Sequence, residues 1–335
     1  MMNLLRKHTP GAMAQGLPGR GLRKLFIPIY RRCTGRVLDQ FQAEWVVQGY
    51  VNRGLQTRFA LRDRLLRMPY KKISCETEFG PELKYYLPYA YWHHRNGTLS
   101  STRSFQDTRS LYFFSPNHTE HEGSRRYILD PNVPNSEDHN FNYNFHRWAR
   151  VPLKETYQNR LRFAFEKPLV VISNKYNDEW GKGPINFLSP EFLEKLIRTL
   201  SSRYSVVYNR PSSQMIASDH NDVQDWDEKR SLRQNHPALH FAEDLFAAHK
   251  SECPSFNEFQ LSLYAQCTRF ISVQGGNSVL ASYFGGTNLI FQRQGQEIFF
   301  RELETIYPRL AGTACFGFAD YDSLYRAVEQ HYLPS

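Results

Sequence analysis

The clearest pattern of apolar and polar positions lies in the C-terminal half of the chain, where short apolar runs alternate with segments of helical spacing. Leu169–Ile172 has the length and the β-branched content of a buried parallel strand. Similar runs follow at Val206–Tyr208, Phe270–Val273 and Leu289–Phe291. Strands that alternate with helices predict a parallel sheet joined by right-handed crossovers, with helices on its faces.

The helical segments between these strands carry recognisable start signals. Ser189 precedes Pro190, which suits a helix N-cap followed by the first helical position. Ser255 and Glu258 have the spacing of a capping box. The apolar positions of Asp322–Tyr332 predict a last helix that closes the sheet.

The N-terminal half is less regular. Leu38–Met68 has mixed helical spacing, Ile73–Thr77 and Leu111–Phe114 are predicted as strands, and Pro81 is predicted to start a helix that runs through Tyr91. The remaining predictions are a loop at Asp130–Phe145, a connecting helix at Trp148–Phe165 and a loop at Ser213–His236.

Length and composition fit two domains. The chain has 335 residues, of which 41% are hydrophobic and 15% aromatic, which is enough apolar material for two cores. No apolar run reaches the roughly 20 residues that span a bilayer. We expect an α/β protein with two Rossmann-like domains: a basic extension at 1–36, an acceptor-side domain at 37–165, and a domain at 166–335 whose parallel sheet has flanking helices.

The net charge of +9 is concentrated at one end of the chain. Eight cations and no carboxylate lie between Met1 and Arg36, so the predicted domains are nearly neutral. This distribution argues against a nucleic-acid-binding domain. Cations alternate with apolar side chains in Gly21–Cys33, so the segment could contact an anionic membrane surface or fold onto its own domain. Pro28 is expected to interrupt any helix there.

The cysteines favour a reducing compartment. There are five, they are scattered, and none forms a C-x-x-C pair, so we expect neither a disulfide framework nor a structural zinc site. The N-terminus lacks the apolar core of a signal peptide. The expected location is therefore cytoplasmic, with peripheral membrane contact left open.

The strongest chemical signal follows the strand at Phe270–Val273. There Gly275, Gly276, Asn277 and Ser278 lead into an apolar helix. Glycines allow a ligand to approach the backbone closely, and exposed N–H groups at a helix start favour a phosphate. The alternative is a tight turn between strand and helix that binds no ligand.

Two other predicted strands end in polar residues at the same edge of the sheet. Asn174 and Lys175 follow the first strand, and Arg210 follows the second. Because ligands of parallel α/β sheets bind beyond the carboxyl ends of the strands, these cations could neutralise a diphosphate. Ordinary surface charge is the alternative interpretation.

The stretch Ser255–Gln292 resembles the donor-binding half of the GT-B glycosyltransferases, in which a small-residue turn starts a helix that faces the diphosphate of a sugar nucleotide. The resemblance implies that Gly275, Gly276, Asn277 and Ser278 contact that diphosphate and that Asn174 and Lys175 line the same cleft. It also implies a nucleotide-sugar donor, a glycan or glycoconjugate acceptor and no cofactor.

The catalytic base of such an enzyme is expected in the N-terminal domain, beyond strand ends. Glu78, Glu82 and His118 occupy those predicted positions, and Glu78 and His118 are the preferred candidates for an inverting transfer. The pair Asp225 and Asp227 does not follow a strand-like run, so no metal site is expected. A nucleic-acid-binding protein and a non-catalytic α/β scaffold remain the alternatives.

Overall fold

The computed structural model describes residues 17–38, 40–126, 130, 132–135, 143–179, 181–211 and 226–333. The helices are α1 (Leu17–Thr34), α2 (Gln40–Leu65), α3 (Phe79–Pro81), α4 (Leu87–Arg95), α5 (Leu153–Tyr157), α6 (Pro190–Leu200), α7 (Glu228–Asn235), α8 (Ala242–Ala248), α9 (Phe256–Ala265), α10 (Gly276–Ala281), α11 (Gln296–Phe299), α12 (Glu302–Thr305), α13 (Tyr307–Ala311) and α14 (Tyr321–Tyr332). The strands are β1 (Lys71–Ser74), β2 (Leu99–Phe105), β3 (His118–His121), β4 (Leu169–Ser173), β5 (Ser205–Asn209), β6 (His240–Phe241), β7 (Arg269–Val273), β8 (Thr287–Phe291) and β9 (Ala314–Phe318).

The larger sheet is parallel, with its strands in the order β6-β5-β4-β7-β8-β9. Counted from β4, the first strand along the chain, this is the order 3-2-1-4-5-6 of the Rossmann fold. The predicted α/β class, with a C-terminal parallel sheet and flanking helices, is confirmed. The four predicted strands correspond to β4, β5, β7 and β8; the short β6 and the half-exposed β9 were not predicted.

Both faces of this sheet are covered, which explains its continuous apolar runs. Val171 and Phe270 pair across β4 and β7 and point into the core shared with α9 and α10. Their neighbours Val170 and Ile271 point to the other side, into the core shared with α6 and α14. Strands that bury both faces cannot alternate apolar and polar residues, so each reads as a short apolar run.

The predicted helix starts in this half are confirmed at the level of single hydrogen bonds. The Ser189 side chain accepts a hydrogen bond from the backbone N–H of Phe192 at 3.2 Å, and α6 begins at Pro190. The Ser255 side chain accepts one from the N–H of Glu258 at 3.2 Å, at the start of α9. Each cap satisfies a donor that the helix itself leaves unpaired.

The smaller sheet contains β1, β2 and β3, all parallel. The predicted strand at Leu111–Phe114 is wrong, because that segment forms turns. The backbone N–H groups of Leu111 and Tyr112 both donate to the carbonyl of Thr108, a short-range pattern that no strand can make. Leu111, Tyr112 and Phe114 are buried in a compact turn, whereas Phe113 is exposed. The apolar run here reflects burial of these side chains and not an extended backbone.

The helix predicted from Pro81 to Tyr91 exists and is longer. Helix α3 runs into a π-helical turn at Glu82–Tyr86 and then into α4, so the backbone is helical from Phe79 to Arg95. Glu82, Lys84 and Tyr85 of the π turn are buried, which places polar chemistry inside the core.

Two connecting segments differ from their predictions. The predicted helix at Trp148–Phe165 is helical only in α5, at Leu153–Tyr157. The predicted loop at Ser213–His236 contains helix α7 at Glu228–Asn235. Leu232 of this helix is buried in the same core cluster as Val206 and Tyr208 of β5, so the mostly polar helix packs one side against the sheet. Residues 212–225, and with them Asp225, lie outside the described residues.

The expectation that Pro28 interrupts the basic segment is also wrong, since α1 continues through Pro28. Tyr30, two residues later, is buried in a small cluster with Val46 of α2 and Phe300. This tertiary packing compensates for the missing backbone N–H of proline. None of the described helices is both long and apolar enough to cross a membrane.

Candidate functional site

The strand order of the larger sheet identifies where a ligand binds. The chain moves from β4 outward through β5 to β6, then returns to β7 and continues in the opposite direction. The carboxyl ends of β4 and β7 therefore flank the point at which the order reverses, and Ser173 of β4 pairs with Ser272 of β7 there. Open α/β sheets bind ligands in the crevice at this point.

The two strongest sequence motifs meet at this position. Lys175 lies two residues beyond β4 and Gly275 two residues beyond β7. A Cβ built on Gly275 would lie only 3.2 Å from Nζ of Lys175. The fold thus brings a cation and a glycine turn into direct proximity, as the sequence analysis expected.

Each glycine of the turn has its own structural reason. Gly275 has φ +128° and ψ −166°, a backbone conformation that side-chain-bearing residues rarely adopt. Gly276 has ordinary dihedrals, but a Cβ there would lie 2.6 Å from Cδ1 of Phe79. The first glycine shapes the turn, and the second lets the N-terminal half pack against it.

Ser278 differs from what was expected of it, whereas Asn277 keeps its expected position. Ser278 is fully buried, and its hydroxyl donates to the carbonyl of Gly275 at 2.8 Å and lies 3.3 Å from the hydroxyl of Tyr307. It therefore stabilises the turn from inside and does not face the cleft. Asn277 is half-buried at the start of α10, where it remains a candidate contact.

Asn174 is a second residue that the fold uses structurally. Its side chain is buried, donates to the carbonyl of Leu188 at 3.0 Å and to the Tyr208 hydroxyl at 3.2 Å, and accepts from the N–H of Leu188 at 2.9 Å. A side-chain amide that hydrogen-bonds both the N–H and the carbonyl of Leu188 fixes the loop between Asn174 and Leu188. Asn174 thus positions the Lys175 loop instead of contacting a ligand.

Arg210 is committed to an internal ion pair. Its guanidinium contacts both oxygens of the buried Glu228, at 2.5 and 2.9 Å, and donates to the carbonyl of Trp226 at 2.9 Å. A bidentate pair of this kind neutralises the cation and fixes its orientation. The expectation that Arg210 neutralises a diphosphate is therefore not supported by its surroundings.

Lys175 is the cation that the fold leaves at the cleft. It forms an ion pair with Glu179, and its side chain is 23% exposed. Glu179 in turn accepts from the backbone and side-chain N–H groups of Asn186, at 2.8 and 2.9 Å. The side-chain amide oxygen of Asn186 accepts from the backbone N–H of Arg293 at 2.7 Å, beyond β8. This chain of contacts ties the loops after β4 and β8 together at the crevice.

Gln274, which the sequence analysis missed, lies between β7 and the glycine turn. It is 4% exposed, and its amide nitrogen donates to Glu297 at 2.5 Å. Its amide oxygen is buried with no hydrogen-bond partner among the described residues. A buried acceptor without a donor costs free energy, and the Gln274 side chain packs directly against Gly295.

The N-terminal half approaches the same turn with the residues that follow β1. A Cβ on Gly80 would lie 3.8 Å from the backbone N of Gly276, and Phe79 covers Gly276 itself. Glu78, immediately before them, is half-buried at the N-cap position of α3. Glu78 is thus the predicted acid that the structure brings beside the glycine turn.

Glu82 belongs to the interior and not to the cleft. It is fully buried, pairs with Nη1 of Arg125 at 2.5 Å, and accepts hydrogen bonds from Ser104 and, at 2.9 Å, from Tyr112. A carboxylate whose oxygens are all engaged in the core stabilises the fold of this half and has no oxygen left for an acceptor.

His118 was placed beyond a strand end, and this premise is wrong because it opens β3 at its amino end. Its ring nitrogens lie 2.8 Å from the hydroxyl of Thr102 and 3.1 Å from that of Thr108, and its ring stacks on Tyr112. Burial lowers the pKa of His118 below its ordinary value of 6.5, although Glu120 acts in the opposite direction. The imidazole is therefore neutral and held in a closed network.

Asp107 is a carboxylate that sequence reasoning did not single out. It lies two residues beyond β2, has the left-handed φ of +62°, and its carbonyl accepts from the side chain of Asn257 at 2.8 Å. Burial, aided by the charge of Glu120, raises the pKa of Asp107 above its ordinary value. Asp107 is identified as a candidate by its left-handed backbone and by its contact with Asn257 of the C-terminal half.

Among the described residues, no group of three or more His, Cys, Asp or Glu side chains could hold a metal ion. Asp227, whose predicted partner Asp225 is not described, occupies the N-cap position of α7 without capping it through its side chain.

No protein-family model and no curated protein matches the chain. Among solved structures, it is similar to E. coli ADP-heptose LPS heptosyltransferase II, with a TM-score of 0.49 and 10% identity over 80% of this chain and 96% of that chain. It is also similar to the family 9 glycosyl transferase from Veillonella parvula, with a TM-score of 0.40 and 8% identity over 79% and 91% of the two chains. For E. coli heptosyltransferase WaaC with ADP, the TM-score is 0.37 and the identity 10%, over 83% of this chain and 78% of that chain.

These likenesses concern the layout of the chain. Independently of them, its two parallel sheets approach each other beyond the carboxyl ends of β1 and β7, through Gly80 and Gly276. Two parallel sheets that meet at strand ends are what the resemblance to the GT-B glycosyltransferases led us to expect.

Proposed function

We propose that this protein is a glycosyltransferase that moves a sugar from a nucleotide-sugar donor to a glycan-type acceptor. The observation that carries the proposal is the meeting of Lys175 with the Gly275–Gly276 turn at the point where the strand order reverses. A cation beside exposed backbone N–H groups is a site for phosphate oxygens. The opposing Glu78 adds a carboxylate from the other half.

The donor's diphosphate would contact Lys175 and the N–H groups of the turn, with Asn277 beside them. Lys175 now pairs with Glu179, and because Lys175 is partly exposed it can turn toward an entering phosphate. Glu179 keeps its hydrogen bonds from Asn186 when the lysine leaves.

The transfer we propose is an inverting displacement that needs no metal. A carboxylate of the N-terminal half takes the proton of the acceptor hydroxyl, whose oxygen attacks the anomeric carbon as the bond to the diphosphate breaks. The nucleoside diphosphate leaves with the electron pair, and Lys175 and the turn stabilise its negative charge. Glu78 is our proposed base, Asp107 is the second candidate, and the closed surroundings of His118 make it the third.

We further propose domains at 37–165 and 166–335, a cytoplasmic location, and peripheral membrane contact through α1. All five cysteines are free thiols, which suits a reducing compartment. Leu25 and Ile29 are exposed one helical turn apart on α1, next to Lys24 and Arg32. An apolar stripe with flanking cations suits an anionic membrane surface.

The test is calorimetric titration with UDP, GDP and ADP, with and without EDTA. We expect one nucleotide to bind and the chelator to have no effect. The variant Lys175→Met combined with Glu179→Gln, which removes both charges of the pair, should weaken binding by about 10- to 100-fold, as for a hydrogen bond to a charged group. Lys182→Met is the matched control, an exposed lysine of the same loop, and should bind as the wild type does.

A protein for which no nucleoside diphosphate binds or raises the melting temperature contradicts the proposed function. If the double variant binds a nucleotide as tightly as the wild type does, the phosphate site lies elsewhere. Binding that needs a divalent cation would overturn the metal-independent mechanism.

A further inference from the structure

A second concave site lies outside the crevice, at the far end of the helix that begins at Phe79. It is a cavity of about 450 Å³ between the last turn of α4 and the segment that precedes α5. Its volume falls in the range of small-molecule binding sites. The cavity is lined by Trp92, Arg95, Asn96, Trp148, Ala149 and Arg150.

The two tryptophans of this cavity are held in place and still partly exposed. The indole N–H of Trp148 donates to the carbonyl of Lys84 at 3.0 Å, and its ring meets the edge of Phe145 at 5.4 Å. The Trp92 ring meets the ring of the buried His93 edge-on at 4.9 Å, and the side chain of Asn96 donates to the Trp92 backbone carbonyl at 2.7 Å and closes the helix end. Fixed, half-exposed indoles offer flat surfaces to a ligand at little cost in side-chain entropy.

The charged residues that line the cavity are both arginines. Arg95 ends α4, and Arg150 contacts Glu155 at 2.7 Å in a pair whose side chains are 46% and 54% exposed. An ion pair this exposed is weak and exchanges readily for another anion. The carbonyl end of α4 disfavours anions, so the two guanidiniums must supply the attraction, and their planar form matches carboxylate and phosphate groups.

We propose that this cavity binds an acidic sugar unit of a glycan, with the pyranose ring against indole and its carboxylate or phosphate on Arg95 or Arg150. The C–H groups on one face of a pyranose are slightly positive and fit the negative face of an aromatic ring. A bare phosphate would use the arginines alone, and a neutral sugar would use the tryptophans alone. The residues present select a ligand with both features.

The cavity lies roughly 20 Å along the helix from Gly80, from the rise of 1.5 Å per residue over the intervening turns. A unit bound there is too distant to react at the glycine turn. The cavity therefore anchors a remote part of the acceptor while another part reaches the crevice. This role for the bound sugar rests on the proposed function, whereas the binding itself does not.

The experiment is calorimetric titration of the full chain with a tetrasaccharide of galacturonic acid, with maltotetraose as the neutral probe and tripolyphosphate as the sugar-free anion. We expect the acidic tetrasaccharide to bind at least tenfold more tightly than either other probe. Trp92→Ala and Arg95→Gln should each weaken its binding tenfold or more. Arg103→Gln, at an exposed arginine of β2, is the matched control and should bind normally.

Circular dichroism confirms that each variant is folded, and the exposed Arg95→Gln provides the test if Trp92→Ala does not fold. Equal binding of the acidic and neutral tetrasaccharides, or tripolyphosphate binding as tight as that of the acidic sugar, overturns the proposal. So does acidic-sugar binding that neither variant changes. Nucleotide titration of the same samples separates the two ideas, since loss of nucleotide binding contradicts the proposed function and leaves this site unaffected.

Discussion

Lys175 and Arg210 both follow buried strands at one edge of the sheet, and their neighbours give them different roles. Arg210 meets the fully buried Glu228 and is used inside the protein. Lys175 meets Glu179 at the rim and keeps access to solvent. The difference comes from the segments that follow the two strands. The segment after β5 leads into α7, which supplies the buried Glu228, whereas the segment after β4 carries Glu179 at the rim of the crevice.

The identity of the catalytic base is a prediction at this scale. Glu78→Gln should lower kcat by on the order of 10²–10⁴, the usual contribution of a general base, while nucleotide affinity stays the same. Nucleotide affinity is spared because the base acts on the acceptor's proton and not on the diphosphate. Steady-state kinetics and calorimetry on the same samples give both quantities.

Asp107→Asn is the matched comparison, because Asp107 also follows a strand of the smaller sheet, two residues after the end of β2. If Asp107→Asn abolishes turnover and Glu78→Gln does not, the assignment of the base to Glu78 is wrong. The acid limb of the pH profile would then lie above the ordinary carboxylate range, since burial and Glu120 raise the pKa of Asp107 and a base acts only when deprotonated.

Single-residue roles were predictable only where the backbone decides them. Gly275 needs its left-handed φ, and a glycine after a buried strand signals such a turn. Ser278 and Asn174 have the side chains that a ligand site needs, yet both form hydrogen bonds within the protein. Sequence does not show which partner a polar side chain will find: Ser278 bonds Gly275 of its own turn, whereas Asn174 bonds the distant Leu188.

Among the elements, α3 and α10 determine the shape of the site. Helix α10 follows the glycine turn, and α3 places Phe79 on Gly276 from the other half. Periodicity predicted α10 and the helix of which α3 is the first turn. It could not predict β3 or the turns at residues 108–114, where the N–H of Arg109 donates to Glu120 and fixes a local geometry.

Substitution of Gly276 tests how these two elements fit together. Gly276→Val should lower the melting temperature and abolish nucleotide binding, because its Cβ would overlap Phe79 and overpacking costs about 1–3 kcal/mol. Differential scanning fluorimetry and calorimetry measure the two effects. Gly54→Val is the control, since a Cβ at Gly54 meets no atom within 4 Å.

The variant Phe79→Ala combined with Gly276→Val separates packing from ligand access. It should recover most of the lost stability, because alanine leaves room for the valine, and should still fail to bind nucleotide. Recovery of both properties would show that Gly276 serves packing alone, and the phosphate site would have to be sought elsewhere.

At the scale of the whole molecule, buried ion pairs hold the N-terminal half together. Asp63 of α2 is fully buried, contacts Nη1 of Arg147 at 2.5 Å, and accepts hydrogen bonds from Tyr70 and Tyr89. Burial raises the pKa of this carboxyl, but hydrogen bonds from His93 and Tyr70 and the nearby cations more than offset it, so the pKa lies well below its ordinary value. Asp63 is therefore charged in the folded protein at neutral pH.

The pH dependence of stability should reveal this group. Because the folded pKa is depressed, the stability from Asp63 is complete above the ordinary pKa of 3.8 and is lost as the pH falls below it. Asp63→Asn should cost about 3–5 kcal/mol at neutral pH, since it leaves Arg147 buried without its counter-charge, and should flatten the acid limb. Urea unfolding from about pH 7 to about pH 3 measures both.

Glu122→Gln, at an exposed position outside the helices and strands, is the control and should leave both properties unchanged. An acid limb of the same steepness in Asp63→Asn and wild type would show that other carboxylates determine the acid stability.

The way the two halves pack was the least predictable feature of all. One core cluster contains Leu83 and Tyr86 from the N-terminal half together with Leu280 and Phe284 from the C-terminal half. Each segment is apolar enough to predict burial, but a sequence pattern records only that a face is buried and not against which distant segment it packs.

The contact between Phe79 and Gly276 has a thermodynamic consequence for the proposed donor. The Phe79 ring lies against Gly276, so donor binding is expected to favour a conformation in which the ring has moved away from the turn. The apparent dissociation constant equals the intrinsic one divided by the fraction of molecules in that conformation. Removing the Phe79 ring should therefore tighten nucleotide binding without adding a single contact to the ligand, and it should do so mainly by accelerating association.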